Sequence, residues 1–376
     1  MKSIQNILIL LFILIVLGFL YRRFEDKLLR EENTDNSKAI QNYLLDDVTL
    51  AKSKKPILWI HVPYEYNSRN WLSFGSRSSF DLNQPYLYLT VRSIIKQCDK
   101  SFTICIIDDK SFKRLIPDWN INMSSISNPI LSNIRTLGIM KLLFRYGGLV
   151  CPISFLCIKD LIGIYNKGTR DNKMFLCETI NRNITSTDAD CYPNLSFCGA
   201  NKNCNTVMEL CDFIQRTMSN DYTASSVFLG DFNRWCNSRI KQGKINLING
   251  VEIGTKTIDE TPIIIDHLMS NHYLNIYKGT YGILIPSDEI LQRTKYEWFS
   301  RSSAKQIMES DTIIGNYILV TIGEGGGNFL EPVEPIINKN VKNKYIGFWR
   351  TPLQDVYGLK PNMLGNNLLK VGYPRQ

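Results

Sequence analysis

Two short apolar runs with a helical stretch between them constrain this chain more than anything else in it. Ile57-Leu58-Trp59-Ile60-His61-Val62 is nearly all apolar and is flanked by Pro56 and Pro63, and Phe102-Thr103-Ile104-Cys105-Ile106-Ile107 stops abruptly at Asp108-Asp109. Runs this short and uniform suit strands buried on both faces, where alternation between core and solvent is not needed. Between them, Tyr86 to Cys98 carries a helical pattern. Strand, helix, strand in that order is a βαβ unit, which needs a parallel pairing and a helical cover. The expected fold class is α/β, a mixed, mainly parallel sheet flanked by helices.

The pattern continues downstream. From Ser132 to Tyr146 the apolar residues Ile134, Leu137, Ile139, Met140, Leu142, Leu143 and Phe144 mark an amphipathic helix, and Gly147-Gly148 is placed to end it. Leu149-Val150-Cys151-Pro152 then starts another strand. Met174-Phe175-Leu176-Cys177 and Ser196-Phe197-Cys198-Gly199 read as short strands, and Val207 to Met218 as a helix. Three further apolar runs, beginning at Pro262, Gly282 and Tyr317, belong to the C-terminal third without a defined topology.

Composition separates function classes. The chain has 376 residues, 44% hydrophobic and 21% charged, enough apolar material to form a core without disulfide staples. Its formal charge of +9 is spread over scattered Lys and Arg, with no basic run and no nucleic-acid motif beside it. A generally basic surface is the expectation, and no nucleic-acid partner. The ten cysteines include no Cys-x-x-Cys pair, which argues against a zinc ribbon or a thioredoxin-like site. Cys191, Cys198, Cys204 and Cys211 are compatible either with one or two disulfides or with buried thiols. No Gly-x-Ser-x-Gly nucleophile motif is present, and Glu324-Gly325-Gly326-Gly327-Asn328 lacks the Lys-Ser/Thr ending of a phosphate-binding loop.

The N-terminus carries a different signal. Ile7 to Leu20 is entirely apolar or Gly, and extended from Ile4 to Tyr21 it spans about 27 Å as a helix, enough for a thin bilayer. Gly18-Phe19-Leu20-Tyr21-Arg22 offers no small-residue cleavage site, which favours an uncleaved anchor over a signal peptide. Arg22, Arg23, Lys27 and Arg30 follow the helix and argue for a cytoplasmic main domain, whereas glycosylation sequons at Asn122, Asn183 and Asn194 argue for a lumenal one. The expectation is a single-pass membrane protein of the secretory pathway, with the membrane face left open.

The segment Arg135-Thr136-Leu137-Gly138-Ile139-Met140-Lys141-Leu142-Leu143-Phe144-Arg145-Tyr146-Gly147-Gly148-Leu149-Val150 resembles the helix, Tyr-Gly-Gly turn and strand of the OCH1-like and capsular-polysaccharide-type glycosyltransferases. The opening strand from Pro56 to His61, the Asp108-Asp109 pair, and Tyr192-Pro193-Asn194-Leu195-Ser196-Phe197-Cys198-Gly199-Ala200 ahead of a helix are similar to that family in the same order. The likeness covers roughly residues 56 to 218. It implies a GT-A-like domain binding a nucleotide-sugar donor, with His61, Asp108, Asp109, Gly147, Gly148 and Ser154 as the donor-binding positions. It also implies a glycan or protein acceptor, and Mn²⁺ or Mg²⁺ held by an Asp-x-Asp motif after the turn.

This chain departs from the family at that motif. Counted from Gly147-Gly148, the two Asp positions fall on Pro152 and Ser154, and neither can replace a carboxylate for a hard cation. The family's Ser-Asp-x-x-Arg on the preceding helix is absent too. No metal ligand is therefore assigned. Two outcomes follow: a transferase in which cations such as Arg135, Lys141, Arg145 and Lys159 neutralise the departing diphosphate, or an inactive relative acting as a membrane-linked interaction protein. Histidines occur only at 61, 267 and 272, and Asp266-His267, following the apolar run from Pro262, is the expected catalytic pair at a strand's C-terminal edge. Trp59, Tyr64, Tyr66, Trp71 and Phe74 crowd the region after the first strand, either as core or as faces on which a base or sugar stacks, and Arg69 and Arg77 interleaved with them modestly favour an anionic ligand. The resulting plan is an anchor over 1–24, a polar stalk over 25–55, a donor-binding core over 56–218, and an acceptor-side continuation of the same domain over 219–376.

Overall fold

The computed structural model describes residues 55–63, 84–117, 119–181, 186, 190–219 and 225–323. The expected membrane helix, the stalk, the aromatic and Arg-containing segment after the first strand, Asn183 and the Gly-rich run at 324–328 lie outside the described residues. No described helix is long and apolar enough to cross a membrane.

The βαβ unit forms as its sequence dictates. Strand β1 (Ile57–His61), helix α1 (Pro85–Cys98) and strand β2 (Thr103–Ile107) follow one another, and β1 and β2 pair in parallel from Ile57↔Thr103 to His61↔Ile107. Pro85 opens α1, where its missing N–H costs nothing. After the short helix α2 (Ser111–Leu115), helix α3 (Ile130–Tyr146) leads into β3 (Gly148–Val150), which pairs in parallel with the other side of β1. The Gly147-Gly148 junction is forced by sterics. Gly148 has φ +112°, and a Cβ there would lie 2.2 Å from the Ile57 carbonyl oxygen. Only a residue without a side chain lets α3 end this close to β1.

Strand β4 (Phe155–Cys157) then leaves the main sheet, and helix α4 (Ile162–Gly168) leads to β5 (Met174–Ile180) and the long β6 (Cys191–Ala200). Helices α5 (Asn205–Ser219) and α6 (Ser225–Lys241) precede β7 (Ile245–Ile248). The six-stranded order is β2-β1-β3-β6-β5-β7. Strand β6 is antiparallel to both β3 and β5, and β7 is parallel to β5, so β6 is the one strand reversed in a mainly parallel sheet.

The remainder is helical: α7 (Ile265–Leu268), strand β8 (Gly282–Leu284) pairing antiparallel with β4, then α8 (Ser287–Gln292), α9 (Glu297–Arg301), α10 (Ala304–Met308) and α11 (Ile313–Ile322). Two apolar runs of the C-terminal third thus differ from the strands such runs usually form. Pro262 makes a single isolated bridge before the chain turns into α7, and Tyr317 to Val320 lies inside α11.

Both faces of the sheet are covered. Ile57, Trp59, Cys105, Ile107, Val150, Leu176 and Ile245 form one core with α2, α3, α5 and α6. On the opposite face α4 approaches closely enough that a Cβ at Gly168 would meet the Phe175 ring at 2.3 Å. A second core joins Tyr86 and Leu89 of α1 to the β4–β8 ribbon and the helices from α7 to α11. Because β7 comes from beyond residue 218 and completes the sheet, the C-terminal part is built into the same framework.

Candidate functional site

The chain leaves β1 towards β2 on one side, yet β3 is inserted on the other side of β1. That reversal makes a topological switch point between β1 and β3, and ligands of open α/β sheets bind at the C-terminal ends of the strands flanking it. His61 ends β1, Asp108 and Asp109 follow β2, and the turn from Cys151 to Ser154 follows β3, so all of them gather at this edge.

His61 Nε2 lies 2.9 Å from Asp109 Oδ1, and its ring stacks on Phe112 at 5.4 Å between centroids. Arg135, in the second turn of α3, donates from Nε to Asp109 Oδ1 at 3.0 Å and from Nη2 to Oδ2 at 2.7 Å. The guanidinium and imidazole side chains are each only 10% exposed, so the pairings operate in a low-dielectric setting. Burial opposes ionisation of Asp109, but the hydrogen bonds from His61 and Arg135 outweigh it and hold its carboxyl down at about 2. An ionised carboxylate only accepts, so the hydrogen-bond pattern assigns a proton to His61 Nε2 and leaves Nδ1 as the ring nitrogen without a described partner.

Asp108 is engaged differently, accepting from the Ser111 backbone N–H at 2.9 Å and from the Ser111 hydroxyl at 2.6 Å in a turn that starts α2. The turn after β3 is held from three sides. Cys151 N–H donates to the Trp59 carbonyl at 3.0 Å, Phe155 N–H to the Pro152 carbonyl at 3.1 Å, and the Thr90 hydroxyl of α1 to the Ile153 carbonyl at 2.6 Å. Pro152 and Ser154, the positions that the sequence resemblance sets against an Asp-x-Asp pair, stand in this turn, with Ser154 buried.

A divalent cation does not fit there. The turn presents the apolar pyrrolidine ring of Pro152 and the neutral hydroxyl of Ser154, and Asp109 already accepts from His61 and Arg135. Among the described residues no group of three His, Cys, Asp or Glu side chains could hold a metal ion.

Gly147 and Gly148, expected as donor-binding residues, sit at the other end of β3, beside Ile57 at the N-terminal edge of the sheet. Their work is conformational: a Cβ at Gly147 would lie 2.6 Å from the Lys202 backbone nitrogen. Asp266 and His267 also stand apart. No hydrogen bond or ion pair among the described residues joins them to His61 or Asp109. Asp266 starts α7, bonds to the Tyr296 hydroxyl and pairs with Arg293 at 2.6 Å and Lys295 at 3.3 Å, while His267 is exposed. Burial opposes the Asp266 carboxylate, yet the bonds from Tyr296 and Lys295 and the charges around it lower its pKa, a setting unsuited to a base.

Arg135 is expected from sequence as one of several cations for the diphosphate, and the structure instead pairs it with Asp109. The available signal was its spacing: 135, 138 and 142 fall on one helical stripe, and the other two positions are Gly and Leu. No family model matches this chain, and comparison with curated proteins and with solved structures returned no match.

Proposed function

We propose that this protein binds a nucleotide-sugar donor in the crevice between β1 and β3 and transfers the sugar to a glycan or protein hydroxyl without a metal held by an Asp-x-Asp motif. The carrying observation is the switch point itself: a mainly parallel sheet whose β1, β2 and β3 ends bring His61, Asp109 and the Pro152–Ser154 turn to one edge. The GT-A-like resemblance expects a mixed sheet of this kind and a donor at this edge. Without a carboxylate at Pro152 or Ser154, the charge developing on the diphosphate is left to cationic side chains and backbone N–H groups. Asp109, held ionised and fixed in place by Arg135 and His61, anchors this edge and is not the proton acceptor of the reaction.

A second reading, an inactive relative that retains the fold as a membrane-linked interaction protein, is favoured by the same Pro152 and Ser154. Titration of the full chain in detergent with UDP- and GDP-sugars, with and without Mn²⁺, separates the two, because a ligand that binds only the native state raises its stability. At donor concentrations near 100 Kd the expected stabilisation is about 3 kcal/mol, unchanged by Mn²⁺. Absence of any shift with every donor, with and without Mn²⁺, would select the interaction protein.

A further inference from the structure

Three histidines occur in the chain, and one of them is set apart by what holds it. His267 and His272 are exposed, and neither side chain has a hydrogen bond or ion pair among the described residues. His61 is held on two sides: Nε2 lies 2.9 Å from Asp109 Oδ1, and the ring stacks on Phe112. Asp109 is not free to turn away, because Arg135 reaches Oδ1 at 3.0 Å and Oδ2 at 2.7 Å. The imidazole is therefore oriented by a carboxylate that a guanidinium fixes in turn.

That pairing decides which nitrogen is open. In a neutral ring with its one proton on Nε2, the Nδ1 lone pair is the acceptor. No described residue bonds to Nδ1, and the atom is not closed off from solvent. An imidazole held by a carboxylate through one nitrogen, with the other open, is built to take a proton, because the charge that develops on the ring faces the carboxylate. Its place is also suitable. His61 is the last residue of β1, the strand beside the switch point, and Val62 N–H donates to the Ile107 carbonyl at 2.8 Å, which fixes the backbone just beyond it. Asp108 is the competing group at this edge: it is exposed, and Ser111 engages Oδ1 and leaves Oδ2 open. No described residue orients that second oxygen, whereas His61 has Asp109 and Arg135 behind it.

We propose that His61 is the general base of the transfer reaction, positioned by Asp109 and Arg135, a reading that rests on the donor-binding function proposed above. The acceptor hydroxyl oxygen forms a bond to the anomeric carbon of the donor, the bond from that carbon to the diphosphate oxygen breaks, and the hydroxyl proton passes to His61 Nδ1. The nucleoside diphosphate leaves with the electron pair of the broken bond, and the imidazolium returns its proton to water. No oxidant or further reactant is needed.

The test compares the full chain with His61→Gln, which keeps an N–H for Asp109 but cannot take a proton, with His61→Gly, and with Asp108→Asn. Thermal shift with the UDP- and GDP-sugar panel reads donor binding, and nucleoside diphosphate release in the presence of a glycan acceptor mixture reads turnover. The expected result is a kcat about 10²–10⁴-fold lower in His61→Gln, with an unchanged donor-induced shift, and partial recovery of His61→Gly turnover on addition of free imidazole. A merely structural role would lower the melting temperature and show no imidazole rescue. If neither variant folds, diethyl pyrocarbonate on the parent chain decides: acylation of His61 should abolish release, and acylated His61 with intact turnover overturns the proposal. Unchanged turnover in His61→Gln overturns the base assignment and leaves the donor-binding function standing, and a kcat loss confined to Asp108→Asn moves the base to Asp108. Lost donor binding in His61→Gln overturns it as well, by making His61 a donor contact. Binding without release in the parent chain also overturns it and favours the inactive relative, and no donor binding at all removes both proposals.

Discussion

At the scale of single residues the Asp109 cluster governs both stability and acid response. Its carboxyl is held at about 2 against an ordinary value of 3.8, so in the folded state it binds its proton later than in the unfolded chain as pH falls. The contribution is fully present above about pH 4, where the unfolded group is ionised. It is lost as pH falls through 2, and it amounts to about 2 kcal/mol. Urea unfolding at pH 5 and at pH 2.5 is expected to show this component in the parent protein and not in Asp109→Asn. At neutral pH, Asp109→Ala is expected to cost about 3–5 kcal/mol, because it takes the carboxylate away from a buried guanidinium. A loss of under 1 kcal/mol in urea unfolding would mean that Arg135 is satisfied without Asp109. Arg135 also shows what the sequence concealed: its stripe position was readable, but a lone charge on a helix gives no sign of a carboxylate 26 residues earlier waiting for it.

Among elements, the junction of α3 with β3 makes the sharpest claim. Gly148 combines φ +112° with a backbone oxygen where its Cβ would sit, whereas Gly243, at φ +70°, has nothing within 4 Å of its own. Gly243→Ala should cost only the left-handed backbone term, about 1–2 kcal/mol. Gly148→Ala should cost clearly more, because β1 must shift to admit the methyl group, and equal melting temperatures for the two variants would refute that account.

The same junction shows why elements were more legible than the site. Local patterns announce β1, α1, β2, α3 and β3, since each is set by its own apolar spacing and by Gly or Pro at its ends. Gly147-Gly148 was legible as a turn but read as a binding feature, because sequence proximity to the family's motif says nothing about which end of a strand a residue occupies. The run Pro262-Ile263-Ile264-Ile265 looked like a strand leading to Asp266-His267. The second core claims Ile263 and Ile265 without giving them a strand partner, and the salt bridges of Asp266 come from residues 27 and 29 positions later.

For the whole molecule, cysteine chemistry decides what holds the fold together. All ten cysteines are free thiols, and nine of them are buried. Even the closest described contact, between Cys98 and Cys157, leaves the two sulfur atoms 3.9 Å apart, far beyond a bonded pair. The four cysteines from Cys191 to Cys211, open to pairing on sequence grounds, are distributed along β6, the connection after it and α5 instead of facing one another. Burial pushes Cys151, Cys157, Cys177 and Cys236 well above the usual thiol range, Cys105 and Cys211 up to about 12, and Cys191 up to about 11. Thiols in that state are poor nucleophiles and behave as small core hydrophobes. Two apolar cores over a chain of this size supply enough buried surface to fold without cross-links. A thiol-reactive dye should therefore label on the order of one cysteine per native molecule, Cys191 first because it is half-buried, and all ten after denaturation. Dithiothreitol should leave the melting temperature where it was. Fewer than ten titratable thiols in the denatured, unreduced protein, with a melting temperature that falls on reduction, would mean that a cross-link carries stability here assigned to packing alone.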